Sequence, residues 1–271
     1  MKHKRSFGPR VSYPLAEAYI HPHNNFTVIA GSCSVEDSEQ VFDSANFVSR
    51  HGATHLRGGV FFAGTYPSKD KPFGWKEHSL LVAFHNAAKH FKLKNIVEVL
   101  DYSKESFDLI LPYADCLQVG ARSMQNYSLL RRLGEFNKPV FLKRNVGATV
   151  DEWLGSVEHL LIGGVKELYL IERGSSTFHN DVRWTPCVHT IPSVQSICNI
   201  PIIMDASHGT GRRDLVSAMT LAGVAAGANG VLVETHISPE HSISDAEQAI
   251  DYKTFETLMK KVFLVKDALK K

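Results

Sequence analysis

Eight short runs, mostly apolar and rich in β-branched residues, recur along the chain at 27–30, 54–57, 95–99, 116–119, 139–143, 167–171, 201–204 and 230–233. Each is four or five residues long and close to continuous in hydrophobicity, the pattern of strands buried on both faces. The segments between them carry helical signals. A helix over 37–50 opens on acidic residues and stops at His51-Gly52. Within 75–91, Leu80, Leu81, Phe84, Ala87, Ala88 and Phe91 fall at helical spacing. Thr149 is placed to N-cap a helix that runs to Ile162, with Glu152 completing a capping box and Gly163-Gly164 ending the helix. Helices over 212–226 and 247–269 complete the set.

Strand and helix thus alternate eight times, which demands a parallel sheet with right-handed crossovers. Eight such units in a chain of 271 residues match a closed (β/α)8 TIM barrel, a fold of about 250 residues. A doubly wound sheet would place a Gly-rich fingerprint after its first strand. Here that strand ends in Ala30-Gly31-Ser32-Cys33, which is a different pattern. The prediction is an α/β protein with one barrel domain over 27–271. Residues 1–26, with no clear period, are expected to form an N-terminal extension covering one end of the barrel.

Composition narrows the function classes. Hydrophobic residues make up 44% and charged residues 21%, so the chain is globular rather than disordered or fibrous. Thirty basic against 28 acidic residues leave a net charge of +2, too balanced for binding nucleic acid by bulk charge. No apolar run approaches the roughly 20 residues that span a bilayer, so no membrane partner is expected. The basic start of the chain has no apolar stretch behind it, so no signal peptide is expected. Cys33, Cys116, Cys187 and Cys198 lie far apart, with no CxxC. They read as reduced thiols of a cytoplasmic protein.

Barrel enzymes keep their chemistry on the loops after the strands. In this chain those positions hold Cys33, Arg57, Glu98, Arg122, Lys143-Arg144, Glu172-Arg173, His208, and Glu234 with His236. Four of them, Arg57, Arg122, Lys143 and Arg173, are cations that would repel one another in a pocket without an anion, so the expected ligand carries phosphate and carboxylate groups. The bland alternative is that each pairs with a carboxylate such as Glu98, Glu172 or Asp205. Cys33, His208, Glu234 and Asp245 could together hold a borderline divalent ion (Mn²⁺, Fe²⁺, Co²⁺ or Zn²⁺). A Cys after a strand is otherwise a core residue, and His208 could be a satisfied loop histidine. Thr210-Gly211-Arg212 reads as an anion site or a simple turn, and His21 and His23 as solvated surface.

Read in order, these motifs resemble the 3-deoxy-D-arabino-heptulosonate 7-phosphate (DAHP) synthases and the 3-deoxy-octulosonate 8-phosphate synthases of the same superfamily. The residues that carry the resemblance are Ala30-Gly31-Ser32-Cys33-Ser34-Val35, Leu56-Arg57-Gly58-Gly59, and Gln118-Val119-Gly120-Ala121-Arg122-Ser123-Met124-Gln125-Asn126. They continue with Leu142-Lys143-Arg144, Ala148-Thr149, Glu172-Arg173-Gly174, Asp205-Ala206-Ser207-His208, Glu234-Thr235-His236 and Ser244-Asp245. The resemblance implies a metal-dependent, aldol-type condensation of phosphoenolpyruvate (PEP) with an aldose phosphate, in aromatic amino acid biosynthesis through the shikimate pathway. It implies Cys33, His208, Glu234 and Asp245 as metal ligands. It implies Arg122, Lys143 and Arg173 at the PEP phosphate, Arg57 and Lys143 at its carboxylate, and Glu98 positioning the attacking water. Cys33, Glu98, Lys143 and His208 are the catalytic set, Arg144 and Thr65 are further substrate contacts, and a homodimer or homotetramer is expected.

The sequence also departs from the family. Phe62-Ala63-Gly64-Thr65 stands where DAHP synthases carry Lys-Pro-Arg-Thr, and Ser175-Ser176-Thr177 where they carry Ile-Arg-Thr. Ser32 replaces a proline. The octulosonate branch's Asn-Arg loop is missing, although Asp205-Ala206 and Glu234-Thr235-His236 lean toward that branch. The donor and metal sites are therefore expected to be intact and the acceptor site rewritten, for a larger or less charged aldehyde. Lys69 and Lys71 either restore charge there or are solvated surface. The alternatives are a paralogue acting on another aldehyde in specialised metabolism and an inactive barrel serving as a binding subunit.

Overall fold

The computed structural model describes residues 12–61, 78–101 and 103–269. Its centre is a barrel of eight parallel strands: β1 (Thr27–Gly31), β2 (His55–Arg57), β3 (Lys94–Val99), β4 (Cys116–Val119), β5 (Val140–Lys143), β6 (Leu168–Glu172), β7 (Ile202–Asp205) and β8 (Gly230–His236). Each pairs with the next, and β8 pairs back onto β1 from Thr27↔Gly230 to Gly31↔Glu234, which closes the sheet. A two-residue strand, β9 (Ile250–Asp251), lies parallel to the end of β8.

Alternation along each strand sorts the core into two layers. Ile29, Ile96, Cys116, Phe141, Tyr169, Ile171, Ile203 and Leu232 point inward and fill the barrel. Val28, Ala30, Leu117, Val119, Leu142, Val231 and Val233 point outward and pack under the helices. Most strands are thus apolar on both faces, which explains the continuous hydrophobic runs, whereas β2 turns His55 and Arg57 inward.

The five predicted helices are present within one or two residues at most described ends. They are α2 (Ser38–Arg50), α3 (His78–His90), α6 (Val150–Ile162), α9 (Arg213–Ala225) and α10 (Tyr252–Ala268), the last starting five residues later than predicted. Asp37 caps α2 by accepting from Gln40 N at 2.8 Å. The Thr149–Glu152 capping box forms as expected, and Gly163-Gly164 ends α6. Among the described residues, five shorter helices have too few turns to show a period: α1 (Pro14–Ala18), α4 (Lys104–Ile110), α5 (Tyr127–Leu133), α7 (Thr190–Gln195) and α8 (Ala206–Thr210). No helix among the described residues is long and apolar enough to cross a membrane.

The described part of the N-terminal segment is anchored to α6 and to the start of β6. Ala16 N donates to Glu158 Oε1 at 2.8 Å, and Leu168 N donates to Tyr19 Oη at 2.9 Å. His21 corrects an expectation. Its ring packs edge-on against Tyr169 at 4.6 Å, and Tyr169 stacks on Phe141 inside the barrel. It is a partly buried plug, held by ring contact, while His23 is exposed.

Candidate active site

Polar side chains gather where the strands end at their C-terminal face, which is why the apolar pattern stops there. Gly31 ends β1 at φ +145°, and a Cβ there would lie 2.1 Å from the Arg57 carbonyl oxygen. Glycine therefore lets β1 and β2 approach closely just before Cys33. Cys33 Sγ donates to Asp245 Oδ2 at 3.2 Å. One donor atom each from Cys33, Glu234 and Asp245 lies within 4.8 Å of the others. Asp245 sits at φ +49°, in the left-handed region that side chains other than Asn and Asp rarely adopt. Held strain of this kind is characteristic of ligand-binding positions.

His208 approaches this group from the Glu234 side. Its Nδ1 lies 2.8 Å from Asp205 Oδ2, and its Nε2 lies 3.2 Å from Glu234 Oε1. Asp205 thus fixes the Nδ1–H tautomer and turns the Nε2 lone pair toward the cluster, the carboxylate–histidine arrangement of metal sites. Two acceptors facing each other at 3.2 Å need a proton or a cation between them. One thiol, one imidazole and two carboxylates suit a borderline divalent ion, so the residues fit the group the sequence implied.

The electrostatics follow from burial and from these pairs. Burial would raise the Asp205 pKa, but His208, Lys143 and Arg173 outweigh it and hold the carboxyl far below its usual range. Asp245 is lowered in the same way, against burial, by His208, the Cys33 hydrogen bond and Arg183. Burial first, then the Glu234 charge, push the Cys33 thiol up.

The cations do not all stand open, as their mutual repulsion had led one to expect. Arg57 donates to Ser32 O at 2.8 Å and forms an ion pair with Glu234. Lys143 Nζ lies 3.5 Å from Asp205 Oδ2. Arg57 and Lys143 are thus already balanced by the carboxylates beside them. Arg144 is further from a substrate role: its Nε and Nη2 reach Glu172 at 2.7 and 2.9 Å, and its Nη1 donates to Ala148 O. Arg173 is buried, with its guanidinium over the Trp184 ring at 5.7 Å. Arg122 is exposed on the single 3-10 turn Ala121–Ser123 after β4. Since β4, β5 and β6 are neighbours, Arg122, Lys143 and Arg173 share one sector of the barrel mouth.

Glu98, on β3, accepts from Gln118 Nε2 at 3.0 Å. Gly120 leaves room for it, because a Cβ there would lie 2.2 Å from Glu98 Oε1. Thr65, with Phe62, Gly64, Lys69 and Lys71, lies outside the described residues. Gly211, at φ +63°, ends α8, and Arg212 pairs with Asp214, so that motif is a turn.

Several supporting residues escaped sequence reasoning. Gln248 donates to Glu234 and, at 3.2 Å, to Asp245 Oδ2. Ser207 Oγ accepts from Glu234 N. Arg183 Nη1 reaches Asp245 Oδ1 at 3.3 Å. Only the spacing of Gln248, three residues after Asp245, was a usable signal. An open cleft of about 720 Å³ beside Asp245 is lined by Asp181, Arg183, Arg212, Ser244 and Glu247, among others.

The DAHP synthetase I family model matches residues 16–271. The chain belongs to the DAHP synthetase I family. It is 37% identical over 244 residues to phospho-2-dehydro-3-deoxyheptonate aldolase of Thermotoga maritima, covering 90% of this chain and 71% of that one. It is 23% identical to 2-dehydro-3-deoxyphosphooctonate aldolase of Mesorhizobium japonicum, over 94% and 96% of the two chains. Its fold superimposes on a truncated 3-deoxy-D-arabino-heptulosonate 7-phosphate synthase of T. maritima with a TM-score of 0.82 at 36% identity, covering 91% and 88%. The (β/α)8 architecture of this family member is thus shared with a solved relative.

Proposed function

We propose that this member of the DAHP synthetase I family condenses PEP with an aldehyde-bearing sugar and releases phosphate. The observation that carries the reading is the donor set Cys33, Glu234 and Asp245 with His208, in the same barrel mouth as Arg122, Lys143 and Arg173. A metal-ligand cluster beside an anion-binding sector suits a reaction that joins a phosphorylated three-carbon donor to a carbonyl.

Arg173 and Arg122 bind the PEP phosphate, and Lys143 lies between phosphate and carboxylate. Arg57, already paired with Glu234, reaches the carboxylate end. When bound, a divalent ion held by Cys33, His208, Glu234 and Asp245 supplies Lewis-acid polarisation of the aldehyde oxygen. The cations hold C3 of PEP against the aldehyde carbon, and this proximity supplies much of the rate. A C–C bond forms between those carbons, Glu98 orients a water onto C2, and the phosphate leaves. The products are a 3-deoxy-2-keto sugar acid and inorganic phosphate.

A second reading concerns the acceptor only. Ser175 and Ser176 are neutral and spend their backbone N–H groups on Thr185 O and Val146 O, where the family pattern has a cation. This favours an acceptor with less charge than an aldose phosphate. The test is to incubate the protein with Mn²⁺, PEP and a panel of phosphorylated and unphosphorylated aldoses, and to measure phosphate release. Release with an aldose phosphate supports the standard reaction, and release only with neutral aldoses supports the second reading. No release with any aldehyde, with PEP still bound, overturns both.

A further inference from the structure

Residues 183–185 belong to the loop after β6 and bridge its start to the loop after β7. Four backbone hydrogen bonds fix them. Arg183 N donates to Thr210 O at 2.8 Å, Trp184 N donates to Gly209 O at 2.9 Å, and Thr185 exchanges bonds of 2.9 and 3.0 Å with Ser175. The strip is thereby tied to the residues that follow His208 and Arg173. Gly174, at φ +90°, makes room for it, since a Cβ there would meet Trp184 Cβ at 3.0 Å.

This placement lays the Trp184 indole against Arg173, with the guanidinium carbon 5.7 Å from the ring centroid. The indole N–H is buried and has no hydrogen-bond partner among the described residues. Hydrogen bonding therefore does not account for a tryptophan here, whereas the ring face does. Arg173 is 7% exposed, yet no described carboxylate lies within ion-pair reach of it. A carboxylate would orient the guanidinium but would also neutralise it and occupy its fork, as Glu172 does for Arg144. An aromatic face orients the plane and leaves the N–H donors for a ligand.

We propose that Trp184 is a positioning residue for the donor substrate, holding the Arg173 guanidinium by its face so that its full charge and fork meet the phosphate of PEP. This rests on the assignment of Arg173 to that phosphate. The tryptophan acts on donor binding, so its loss raises the dissociation constant and KM for PEP more than it lowers kcat.

Calorimetric titration of PEP into the Mn²⁺-supplemented full-length protein tests this, with Trp184→Phe, Trp184→Leu, Trp184→Ala and Arg173→Ala. Phe keeps a ring face without the N–H, and Leu keeps apolar bulk without a ring face. Trp184→Phe is expected to bind within about twofold of the unmodified protein, and Trp184→Leu and Trp184→Ala to bind about 5- to 30-fold more weakly. Tryptophan emission should change on PEP addition, and that change should be absent in Trp184→Phe, which retains Trp75 and Trp153. If Trp184→Ala does not fold, the Phe and Leu variants decide. Equal binding by those two, with Arg173→Ala still weakened, overturns this proposal alone. Unchanged binding by Arg173→Ala overturns the phosphate assignment beneath it.

Discussion

Glu172 accepts both arms of the Arg144 guanidinium, at 2.7 and 2.9 Å, and both side chains are shielded from solvent. Glu172 Oε1 also accepts from Gly174 N at 2.7 Å, so the pair sets the turn that carries Arg173. Burial would lower the Arg144 pKa, but Glu172 raises it. Removing one partner strands a buried charge, which typically costs about 3–5 kcal/mol. Arg144→Ala is therefore expected to lose stability on that scale in chemical denaturation. Arg144→Lys should recover only part, because an ammonium cannot fill a two-pronged site. A loss under about 1 kcal/mol would show that Arg144 is not structural in this way.

The proposed metal cluster makes a graded prediction. Cys33→Ala removes a donor at a half-buried position and should leave the fold intact while abolishing Mn²⁺ retention after desalting. Asp205→Asn keeps the shape beside His208 but removes the carboxylate that orients Nδ1. Losing such outer support costs about 10–100-fold in affinity, so metal titration should place this variant between the unmodified protein and Cys33→Ala. Full Mn²⁺ retention by Cys33→Ala would remove Cys33 from the ligand set.

A histidine inside the barrel sets an acid limit on stability. His55 is 6% exposed, with Nδ1 2.8 Å from Thr54 Oγ1 and its ring edge-on to Phe141. Burial, then the Lys94 charge, lower its pKa to about 4, from 6.5 in the unfolded chain. Between those values the unfolded chain binds a proton that the native state excludes, so stability falls as pH falls through the unfolded pKa. The loss levels off below the folded pKa, at about 3 kcal/mol. His55→Phe should flatten this limb when denaturation midpoints at about pH 7 and about pH 5 are compared. An acid limb as steep as that of the unmodified protein would assign it to other groups.

The strands were legible because burial on both faces writes a continuous apolar run, and their ends were misread where chemistry begins. The run at 230–233 stops at Val233, yet β8 continues to His236, because Glu234 and His236 are polar residues that the site buries. Glu172 and Asp205 extend β6 and β7 by one residue for the same reason. Of the proposed metal donors, Cys33, His208 and Glu234 were singled out by their positions after strands, and the resemblance implied the same set with Asp245. The Arg144–Glu172 pair that sets the turn before Gly174 was not legible, since the two residues lie 28 apart and meet only when β5 pairs with β6. Arg183 and Trp184 sit in an irregular loop whose course depends on backbone bonds to two other loops.

Gly120 offers a way to disturb Glu98 without touching it. The backbone there, at φ −64° and ψ 156°, is open to any residue, so strain does not require glycine. What requires it is space: a Cβ would lie 2.2 Å from Glu98 Oε1 and 3.1 Å from its Cδ. Those atoms end a flexible side chain, so Gly120→Ala should fold with little loss of stability while pushing the carboxylate away from Gln118. A catalytic group displaced by about 1 Å can cost about 100-fold in rate. Gly120→Ala is therefore expected to lower kcat by about that factor, with the dissociation constant for PEP nearly unchanged. Gly155, inside α6, is the control, because a Cβ there meets nothing within 4 Å. Gly155→Ala should leave kcat alone and stabilise the helix by about 0.5–1 kcal/mol. Unchanged kcat in Gly120→Ala would take Glu98 out of the catalytic set, whereas a rise in the PEP dissociation constant would move it to donor binding.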